Sequence, residues 1–332
     1  PPLPAADTPR DPATVAITGG ITTGIMPRPI AARRIPRRRI SAKHSPAVRN
    51  CKAAQGIPNV YDTGVKTRHP PARRDAILCA MADEFRCAVL LAAGRGTRLG
   101  DLTAHMPKPL LEIGGAPLIE HIVRGLIRAG LERFIVVTGY LSEQLEQWAK
   151  SFERENFGIT IAAVRQPELN GTGGAMLAAR PYLAGEARFV FGWGDILMDP
   201  ANYPRFMNRA RTGDYDLLLA VNRTKDPYRG GAVYLTPAMR VERIEEKPAP
   251  GTSKTQWNNA GLFAAGTILF DYLERLKPSP RGELELPGAI GQMIAEGRVV
   301  RAIDMRGLWS DIGTPADLAA ARVRFRPHRQ RQ

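Results

Sequence analysis

Short apolar runs alternate with segments of helical periodicity between residues 88 and 221. Continuous apolar runs of this kind are typical of strands that are buried on both faces of a parallel sheet. They predict strands over Ala88–Ala92, Phe134–Val137, Ile159–Val164, Arg188–Gly192 and Asp216–Val221. The segments between them predict helices over Pro117–Ala129, from a cap at Ser142 to about Lys150, and over Gly173–Ala179. This order predicts an α/β fold with a doubly wound, mostly parallel, Rossmann-like sheet and helices on both faces.

The pattern changes after Gly230. Three strand-like segments follow one another without helices, which predicts a small antiparallel lid over Ala232–Leu235, Val241–Glu245 and Asn258–Ala265. Helices are predicted next over Thr267–Leu276 and Glu283–Glu296, then a strand over Val299–Asp304 and a last helix from Pro315. The sequence contains no hexapeptide repeat, so no C-terminal β-helix is expected.

The chain has 332 residues and a formal net charge of +15, which is unevenly distributed. Residues 1–80 hold 14 Lys and Arg against 4 Asp and Glu, and they are rich in Pro, Arg and Ala. Such a segment buries too little apolar surface to offset the entropy of ordering, so we expect it to be disordered. The predicted organisation is a basic extension over 1–80, a compact domain over 81–325 and a short tail over 326–332.

Three interpretations of residues 1–80 stay open. In the first, the natural protein begins at Met81 and the earlier residues are an upstream extension. In the second, the Arg-rich and acid-poor segment is a targeting peptide, although no amphipathic helix is evident. In the third, it is a nucleic-acid-binding arm, although its basic clusters lack interleaved aromatic residues. Residues 81–332 hold 33 Lys and Arg against 28 Asp and Glu, so no nucleic-acid partner is expected for the compact domain.

The cysteine content bears on the cellular compartment in which the protein works. Cys51, Cys79 and Cys87 form neither a disulfide framework nor a zinc-ligand spacing, which favours a reducing, cytoplasmic setting. No apolar run reaches the roughly 18 residues that a spanning helix needs, so no membrane span is expected.

The segment Leu91–Leu111 reads LAAGRGTRLGDLTAHMPKPLL and follows the first predicted strand directly. Gly94 and Gly96 would let backbone N–H groups approach phosphates, while Arg98 and Lys108 supply fixed positive charge. The Gly-Lys-Ser/Thr end of a P-loop is missing from the turn, and its last glycine comes one residue too late for the dinucleotide fingerprint. The segment therefore indicates an enzyme that acts on a nucleotide, and it disfavours a hydride-transferring NAD enzyme.

Several ordered motifs give residues 81–325 a specific resemblance. They are LAAGRGTRLG at 91, PKPLLEIGGAPLIEH at 107, QPELNGTGGA at 166, GD at 194, GGAV at 230, EEKP at 245, NAGLF at 259 and WSDIGTP at 309. Together they resemble the sugar-phosphate nucleotidylyltransferases, the group of glucose-1-phosphate thymidylyltransferase and UDP-sugar pyrophosphorylase. The resemblance implies a Rossmann-like nucleotidyltransferase domain that joins a nucleoside triphosphate to a sugar 1-phosphate and releases pyrophosphate. It also implies a homo-oligomer.

The resemblance further implies roles for individual residues. Arg98 would neutralise the departing pyrophosphate, and Lys108 would neutralise the α-phosphate region. Asp195 and Asp311 would hold Mg²⁺, which prefers one or two carboxylates together with substrate phosphate oxygens. The nucleotide-binding set would be Leu91, Ala93, Gly94, Gly96, Gln166, Gly171 and Thr172, in which the Gln166 amide offers a donor and an acceptor to a pyrimidine. The sugar-phosphate-binding set would be Gly231, Glu246, Lys247 and Asn259.

Two positions depart from the family pattern. Trp193 replaces a frequent Asn before the Gly-Asp pair, and Gly230 replaces a frequent aromatic residue ahead of Gly231. Both positions border the substrate pocket in the family, so they bear on the identity of the substrate rather than on the class of reaction.

UTP or dTTP is the expected nucleotide. The alternatives are a GTP-using mannose-1-phosphate guanylyltransferase and a non-catalytic regulatory subunit that binds a nucleotide-sugar.

Overall fold

The computed structural model describes residues 85–325. The predictions for residues 1–80 and for the tail 326–332 lie outside these residues. The helices are α1 (Leu118–Arg128), α2 (Ser142–Glu155), α3 (Thr172–Ala179), α4 (Asn202–Ala210), α5 (Leu269–Leu273), α6 (Leu286–Ala295) and α7 (Pro315–Arg324). The strands are β1 (Phe85–Leu91), β2 (Glu112–Ile113), β3 (Ala116–Pro117), β4 (Arg133–Thr138), β5 (Thr160–Arg165), β6 (Arg188–Trp193), β7 (Ile196–Met198), β8 (Leu217–Arg223), β9 (Gly231–Leu235), β10 (Val241–Glu246), β11 (Trp257–Gly266), β12 (Val300–Asp304) and β13 (Trp309–Asp311).

Seven strands form a central sheet in the order β5-β4-β1-β6-β11-β8-β12. The pairs β5–β4, β4–β1, β1–β6 and β8–β12 are parallel, whereas β11 runs antiparallel to β6 and β8. The predicted α/β fold with a mostly parallel sheet is therefore confirmed. The carboxyl ends of β1, β4, β6 and β8 share one edge, which is where open α/β sheets place their ligand sites.

The predicted antiparallel lid exists and is continuous with this sheet. Strands β9 and β10 pair with each other, and Ala232 of β9 pairs with Asn258 at the beginning of β11. The sequence pattern predicts that Asn258–Ala265 belongs to the lid alone. That assignment was too narrow, because β11 leaves the lid and continues between β6 and β8. The residues at the beginning of β11 therefore connect the lid to the carboxyl edge of the sheet.

Two apolar cores cover the two faces of the sheet. Along β1, Ala88 and Leu90 pack into one core, while Val89 and Leu91 pack into the other. This alternation is the two-residue period of a strand that is buried on both faces. Helices α1, α2 and α4 cover the first face, and α3, α5 and α6 cover the second. Burial on both faces fixes the position of the loops that follow β1 and β6.

Several predicted boundaries were wrong. Ser142 is the first residue of α2 rather than its cap, because Leu141 precedes the helix in a left-handed conformation. Helix α2 also continues past Lys150 to Glu155. The helix predicted over Glu283–Glu296 begins only at Leu286, which places the preceding acidic residues in a loop. None of the helices between residues 85 and 325 is long and apolar enough to cross a membrane.

Candidate active site

The glycine turn that follows β1 is anchored to its neighbours by backbone hydrogen bonds. The carbonyl of Leu91 accepts from the N–H of Gly194 at 2.9 Å, and the carbonyl of Ala93 accepts from the N–H of Tyr140 at 3.2 Å. Leu91 and Ala93 are both buried. These bonds connect the turn to the loops that follow β6 and β4.

Two glycines of the turn have different surroundings. Gly96 has a φ of +66°, and a β-carbon there would lie 3.2 Å from Cβ of Lys108. This position favours glycine both for its left-handed conformation and for its close packing. Gly94 faces open space, since a β-carbon there would meet nothing within 4 Å. The turn is therefore packed at Gly96 and open at Gly94.

Arg98 belongs to the 3₁₀ turn Thr97–Thr103, which follows the glycine turn. Its guanidinium group lies 3.4 Å from the position that a β-carbon of Gly313 would occupy. Burial and then Asp195 raise the pKa of Asp311, and the charge of Arg98, like that of Lys108, opposes this rise. Arg98 is exposed, and it is close enough to Asp311 to affect its charge.

Lys108 is a buried cation between two prolines. The turn Lys108–Leu110 follows Pro107, whose ψ of 139° is extended. The ammonium Nζ lies 2.6 Å from Oδ2 of Asp195 and 3.3 Å from Oδ1 of Asp311. Burial disfavours the charged form, but the two carboxylates outweigh it, so the pKa of Lys108 is raised. Lys108 is therefore firmly protonated at neutral pH.

The two carboxylates come together through a short β-ribbon. Asp195 lies in the turn between β6 and β7, and Asp311 ends β13, where it pairs with Ile196 of β7. Burial, and then the neighbouring Asp195, raise the pKa of Asp311, while Lys108 and Arg98 oppose that rise. The two half-buried carboxylates thus share one buried ammonium group.

This pair fits a divalent cation that also binds substrate. Among residues 85–325 no cluster of three or more His, Cys, Asp or Glu side chains could hold a metal without other ligands. Mg²⁺ usually binds one or two carboxylates together with substrate phosphates and waters. Asp195 and Asp311 supply that number of carboxylates, and they lie close to each other because both contact the ammonium group of Lys108.

A cavity of about 430 Å³ opens at the carboxyl edge of the sheet. Eight of the predicted site residues line it: Arg98, Thr172, Asp195, Gly231, Glu246, Lys247, Asn259 and Asp311. The cavity thus brings together side chains that are more than 200 residues apart in the sequence. The remaining predicted residues are not part of its lining: Leu91, Ala93, Gly94, Gly96, Lys108, Gln166 and Gly171.

Two predicted nucleotide-binding side chains make contacts within the protein. Gln166 is buried, and its Nε2 donates to Oδ1 of Asn170 at 3.1 Å and to the carbonyl of Gly171 at 3.2 Å. A base that needed this donor would have to replace those bonds. The hydroxyl of Thr172 accepts from the N–H of Leu286 at 3.0 Å, at the beginning of α6. Both side chains therefore stabilise the loop in the absence of a ligand.

The lid supplies charged groups on the other side of the cavity. Glu246 ends β10, and burial raises the pKa of its carboxyl, with Lys247 and Arg281 opposing the rise. Lys247 follows with a φ of 44°, a strained conformation for a residue with a side chain, and its N–H donates to the carbonyl of Gly230 at 2.7 Å. Its Nζ lies 3.8 Å from Oε1 of Glu246.

Asn259 carries an unsatisfied donor at the cavity. Its Oδ1 accepts from the N–H of Gly261 at 3.1 Å, while its buried Nδ2 has no hydrogen-bond partner among the described residues. A β-carbon at Gly231 would lie 3.3 Å from Cβ of Asn259 and 3.5 Å from Oε2 of Glu246, so this glycine permits close packing. A buried donor without a partner is costly, which favours a ligand that accepts from Nδ2.

The lining of the cavity also includes a charged segment that is not among the predicted site residues. Arg281, Glu283 and Glu285 line the cavity, and Nη2 of Arg281 lies 2.6 Å from Oε1 of Glu285 and 3.7 Å from Oε1 of Glu246. The signal in the sequence was Pro287, since proline is favoured in the first turn of a helix and marks the helix as beginning near Leu286. The acidic residues before it then belong to a loop.

The two departures from the family pattern are packed by neighbouring residues. Trp193 lines the cavity, and its ring lies edge-on to Phe263 at 5.4 Å between centroids. The same ring occupies the space where a side chain of Gly261 would project. At Gly230, a β-carbon would overlap the side-chain oxygen of Asn258. The cavity therefore has an indole on the sheet side and no side chain at Gly230.

Residues 87–326 match the model of the nucleotidyl transferase family, and the chain belongs to that family. The resemblance found in the sequence motifs is thereby confirmed. Bifunctional protein GlmU of Methanococcus aeolicus is 32% identical over 234 residues, which are 70% of this chain and 53% of that protein. The chain thus spans about half the length of the GlmU relatives that it matches.

Two further proteins match this chain over nearly their whole length. UTP–glucose-1-phosphate uridylyltransferase AglF of Haloferax volcanii is 30% identical over 240 residues, which are 72% of this chain and 96% of that protein. The crystal structure of a UDP-glucose pyrophosphorylase complexed with UDP-glucose superposes with a TM-score of 0.65 at 21% identity. That superposition covers 73% of this chain and 98% of the other, and it supports the fold.

Proposed function

We propose that this protein transfers a nucleoside monophosphate from a nucleoside triphosphate, UTP or dTTP, to a sugar 1-phosphate and releases pyrophosphate. The observation that carries the proposal is the composition of one cavity. Its sheet side is lined by Asp195 and Asp311, which both contact the ammonium group of Lys108, and its lid side is lined by Glu246, Lys247 and Asn259. The similarity to AglF over 96% of that protein supports the same class of reaction.

The reaction is an in-line displacement at the α-phosphorus. A phosphate oxygen of the sugar 1-phosphate forms a bond to that phosphorus, and the bond to the oxygen that bridges to the β-phosphate breaks. The electron pair leaves with pyrophosphate. Such a transfer requires positioning and charge neutralisation more than covalent participation of the protein.

The cations of the site would perform that neutralisation. Arg98 offers a planar donor fork to the departing pyrophosphate, and Lys108 holds a fixed positive charge beside the α-phosphate region. Lys247 would bind the phosphate of the sugar. Asp195 and Asp311 would hold Mg²⁺, which supplies further positive charge to the reacting phosphates when it is bound.

The lid would orient the sugar. Glu246 would accept hydrogen bonds from sugar hydroxyls, and the buried Nδ2 of Asn259 would donate to a hydroxyl or phosphate oxygen of the substrate. Gly231 would allow the sugar to lie close to the backbone of β9. The glycine turn with Gly94, together with Gln166, would hold the nucleotide.

A screen for pyrophosphate release tests the proposal. UTP, dTTP, GTP, CTP and ATP are each combined with a panel of sugar 1-phosphates in the presence of Mg²⁺. We expect release with UTP or dTTP and at least one sugar, and the loss of release when the metal is chelated. Folded protein that releases no pyrophosphate with any pair would refute the proposal. Binding of a nucleotide-sugar without turnover would instead support the non-catalytic subunit.

The proposal extends to the setting of the enzyme. We expect a homo-oligomer in a reducing cytoplasm, without nucleic acid as a partner. Light scattering on the purified protein measures the oligomeric state, and fractionation of the source cells measures the compartment.

A further inference from the structure

Three hydrogen bonds join residues 170–173, where a loop leads into α3, to residues 284–286, where α6 begins. The N–H of Gly173 donates to the carbonyl of Leu284, and the N–H of Leu284 donates to the carbonyl of Asn170, both at 2.7 Å. The N–H of Leu286 donates to the hydroxyl of Thr172 at 3.0 Å. The two segments are more than 100 residues apart in the sequence and pair almost like neighbouring strands.

The glycines of the loop accommodate this pairing. Gly171 has a φ of +106°, and a β-carbon there would lie 2.6 Å from the carbonyl oxygen of Leu284. A β-carbon at Gly173 would lie 3.0 Å from the same oxygen and 2.8 Å from Cδ1 of Leu276. The sequence motifs place Gly171 in the predicted nucleotide-binding set. The close approach of the other segment requires that Gly171 and Gly173 carry no side chain.

The hydroxyl of Thr172 acts as a cap for α6. Leu286 is the first residue of that helix, and its N–H belongs to the first turn, where no intrahelical acceptor is available. Glu285, the residue that precedes the helix, makes no side-chain capping bond. The acceptor for Leu286 therefore comes from another part of the chain.

The residues just before α6 carry charged side chains, and one of them lies near Glu246 of the predicted sugar-phosphate-binding set. Glu285 immediately precedes α6 and lies 2.6 Å from Arg281. Arg281 in turn lies 3.7 Å from Glu246, which is 3.8 Å from Nζ of Lys247. A shift at the beginning of α6 would therefore move the partners of Glu246 and Lys247.

Asn170, at the other end of this pairing, is hydrogen-bonded to Gln166. Its Nε2 donates to the side chain of Asn170, whose carbonyl accepts from Leu284. A nucleobase that engaged Gln166 would perturb these bonds, and the perturbation would extend to the segment that Thr172 caps. Coupling between two ligand sites is reciprocal, so each substrate would change the affinity for the other by the same factor.

Building on the proposed function, we propose that Thr172 is a positioning residue for the sugar-phosphate side of the cavity. Its hydroxyl fixes the beginning of α6 and thereby links nucleotide binding to sugar-phosphate binding.

The test compares Thr172→Val, which removes the acceptor at nearly the same shape, with Thr172→Ser, which keeps it. We expect Thr172→Val to raise the KM for the sugar 1-phosphate about fivefold, the effect of one lost cap, with a much smaller effect on the KM for UTP. Calorimetry with α,β-methylene-UTP, with and without the sugar 1-phosphate, should show weaker coupling in Thr172→Val only. Thr172→Ser should resemble the wild type in both measurements.

Equal or larger effects on the KM for UTP would overturn the inference, as would Thr172→Val behaving like Thr172→Ser. If Thr172→Val does not fold, hydrogen exchange on the wild type replaces it. The analogue alone should then change the protection of the amides of residues 284–286, and unchanged protection would overturn the inference. An inactive wild type defeats the proposed function, whereas an active wild type with uncoupled substrates defeats this inference alone.

Discussion

The ammonium group of Lys108 lies 2.6 Å from Oδ2 of Asp195, although 87 residues separate them in the sequence. The contact forms because β1 and β6 are parallel neighbours and their following loops leave the sheet at the same edge. Oδ1 of Asp311 lies 3.3 Å from the same ammonium. One buried cation therefore holds two carboxylates that would otherwise repel each other.

Replacing this cation should abolish most of the activity. Lys108→Met keeps the length of the side chain and removes its charge, so kcat should fall by about 10²–10³, as for other preorganised charge donors. Steady-state pyrophosphate release measures the loss. Lys150→Met, which alters an exposed lysine on α2, is the matched control and should keep the wild-type rate. A Lys108→Met rate near that of the control would remove Lys108 from the mechanism.

Glu246 should make stability depend on pH in a defined direction. Burial raises the pKa of its carboxyl above the unfolded value, so its contribution is fully present below that value and is lost as the pH rises through the folded pKa. Glu246→Gln cannot ionise and avoids this loss. Its free energy of unfolding relative to wild type should therefore increase from pH 4 to pH 7.

Urea unfolding at several pH values measures this difference. Glu132→Gln removes an exposed carboxylate and corrects for the general effect of lost negative charge. A Glu246→Gln difference that stays constant with pH, or that falls as the pH rises, would contradict the prediction. The same variant should raise the KM for the sugar 1-phosphate about tenfold, because it loses a charged hydrogen-bond acceptor.

The strands of the central sheet could be predicted because buried parallel strands leave uninterrupted apolar runs. The short ribbon of β7 and β13 could not, since three-residue strands give no period. The helix α4 (Asn202–Ala210) is not among the predicted helices, although its apolar residues Tyr203, Phe206, Met207 and Ala210 lie at helical spacing. For β11 the apolar run was visible, but a run carries no information on which sheet it enters.

In the candidate site, too, some features could be predicted from the sequence and others could not. The roles of Arg98, Lys108, Asp195 and Asp311 are predicted from the resemblance of their ordered motifs to the family, and the structure places both carboxylates in contact with Lys108. Gln166 and Thr172 were assigned to the nucleotide by motif alone, and their side chains are engaged by other parts of the loop and by α6. Such contacts depend on residues that lie far away in the sequence, which a local pattern does not contain.

Removal of residues 1–80 should leave the enzyme active. The cavity lining lies between residues 98 and 317, and the family match begins at residue 87. We therefore propose that residues 81–325 are sufficient, and that a protein beginning at Met81 keeps the kcat and KM of the full chain. A strong loss of turnover would contradict this. Salt-dependent binding of RNA or DNA by the full chain alone would support the nucleic-acid arm.

Gly261 should not tolerate a side chain. In Gly261→Ala the added β-carbon would overlap the ring of Trp193 at a φ of +80°, which should cost about 2–3 kcal/mol of unfolding free energy. The displaced indole should also raise the KM for the sugar 1-phosphate. Gly291→Ala in α6 is the control, since its β-carbon meets nothing within 4 Å and should stabilise the helix by about 0.5–1 kcal/mol. Equal unfolding midpoints for the two variants would contradict the prediction.

Tyr140 should position the segment that carries Arg98. Its hydroxyl donates to the carbonyl of Ala104 at 2.8 Å, and Nε2 of Gln144 donates to the carbonyl of the following residue at 2.8 Å. Tyr140→Phe removes the first of these bonds, which is worth about 0.5–1.5 kcal/mol, so kcat/KM for the nucleoside triphosphate should fall severalfold. The KM for the sugar 1-phosphate should change less, because the lid is untouched.

Tyr182→Phe is the matched control for this substitution, since it removes an exposed tyrosine hydroxyl from the turn Arg180–Leu183. Adding Gln144→Ala to Tyr140→Phe should lower kcat/KM further, because the segment from Thr97 to His105 then loses both side-chain tethers. Hydrogen exchange should show faster exchange over residues 97–106 in the double variant. If Arg98 acts from a segment that is rigid without these bonds, neither kcat/KM nor the exchange rate will change, and the role assigned to Tyr140 is wrong.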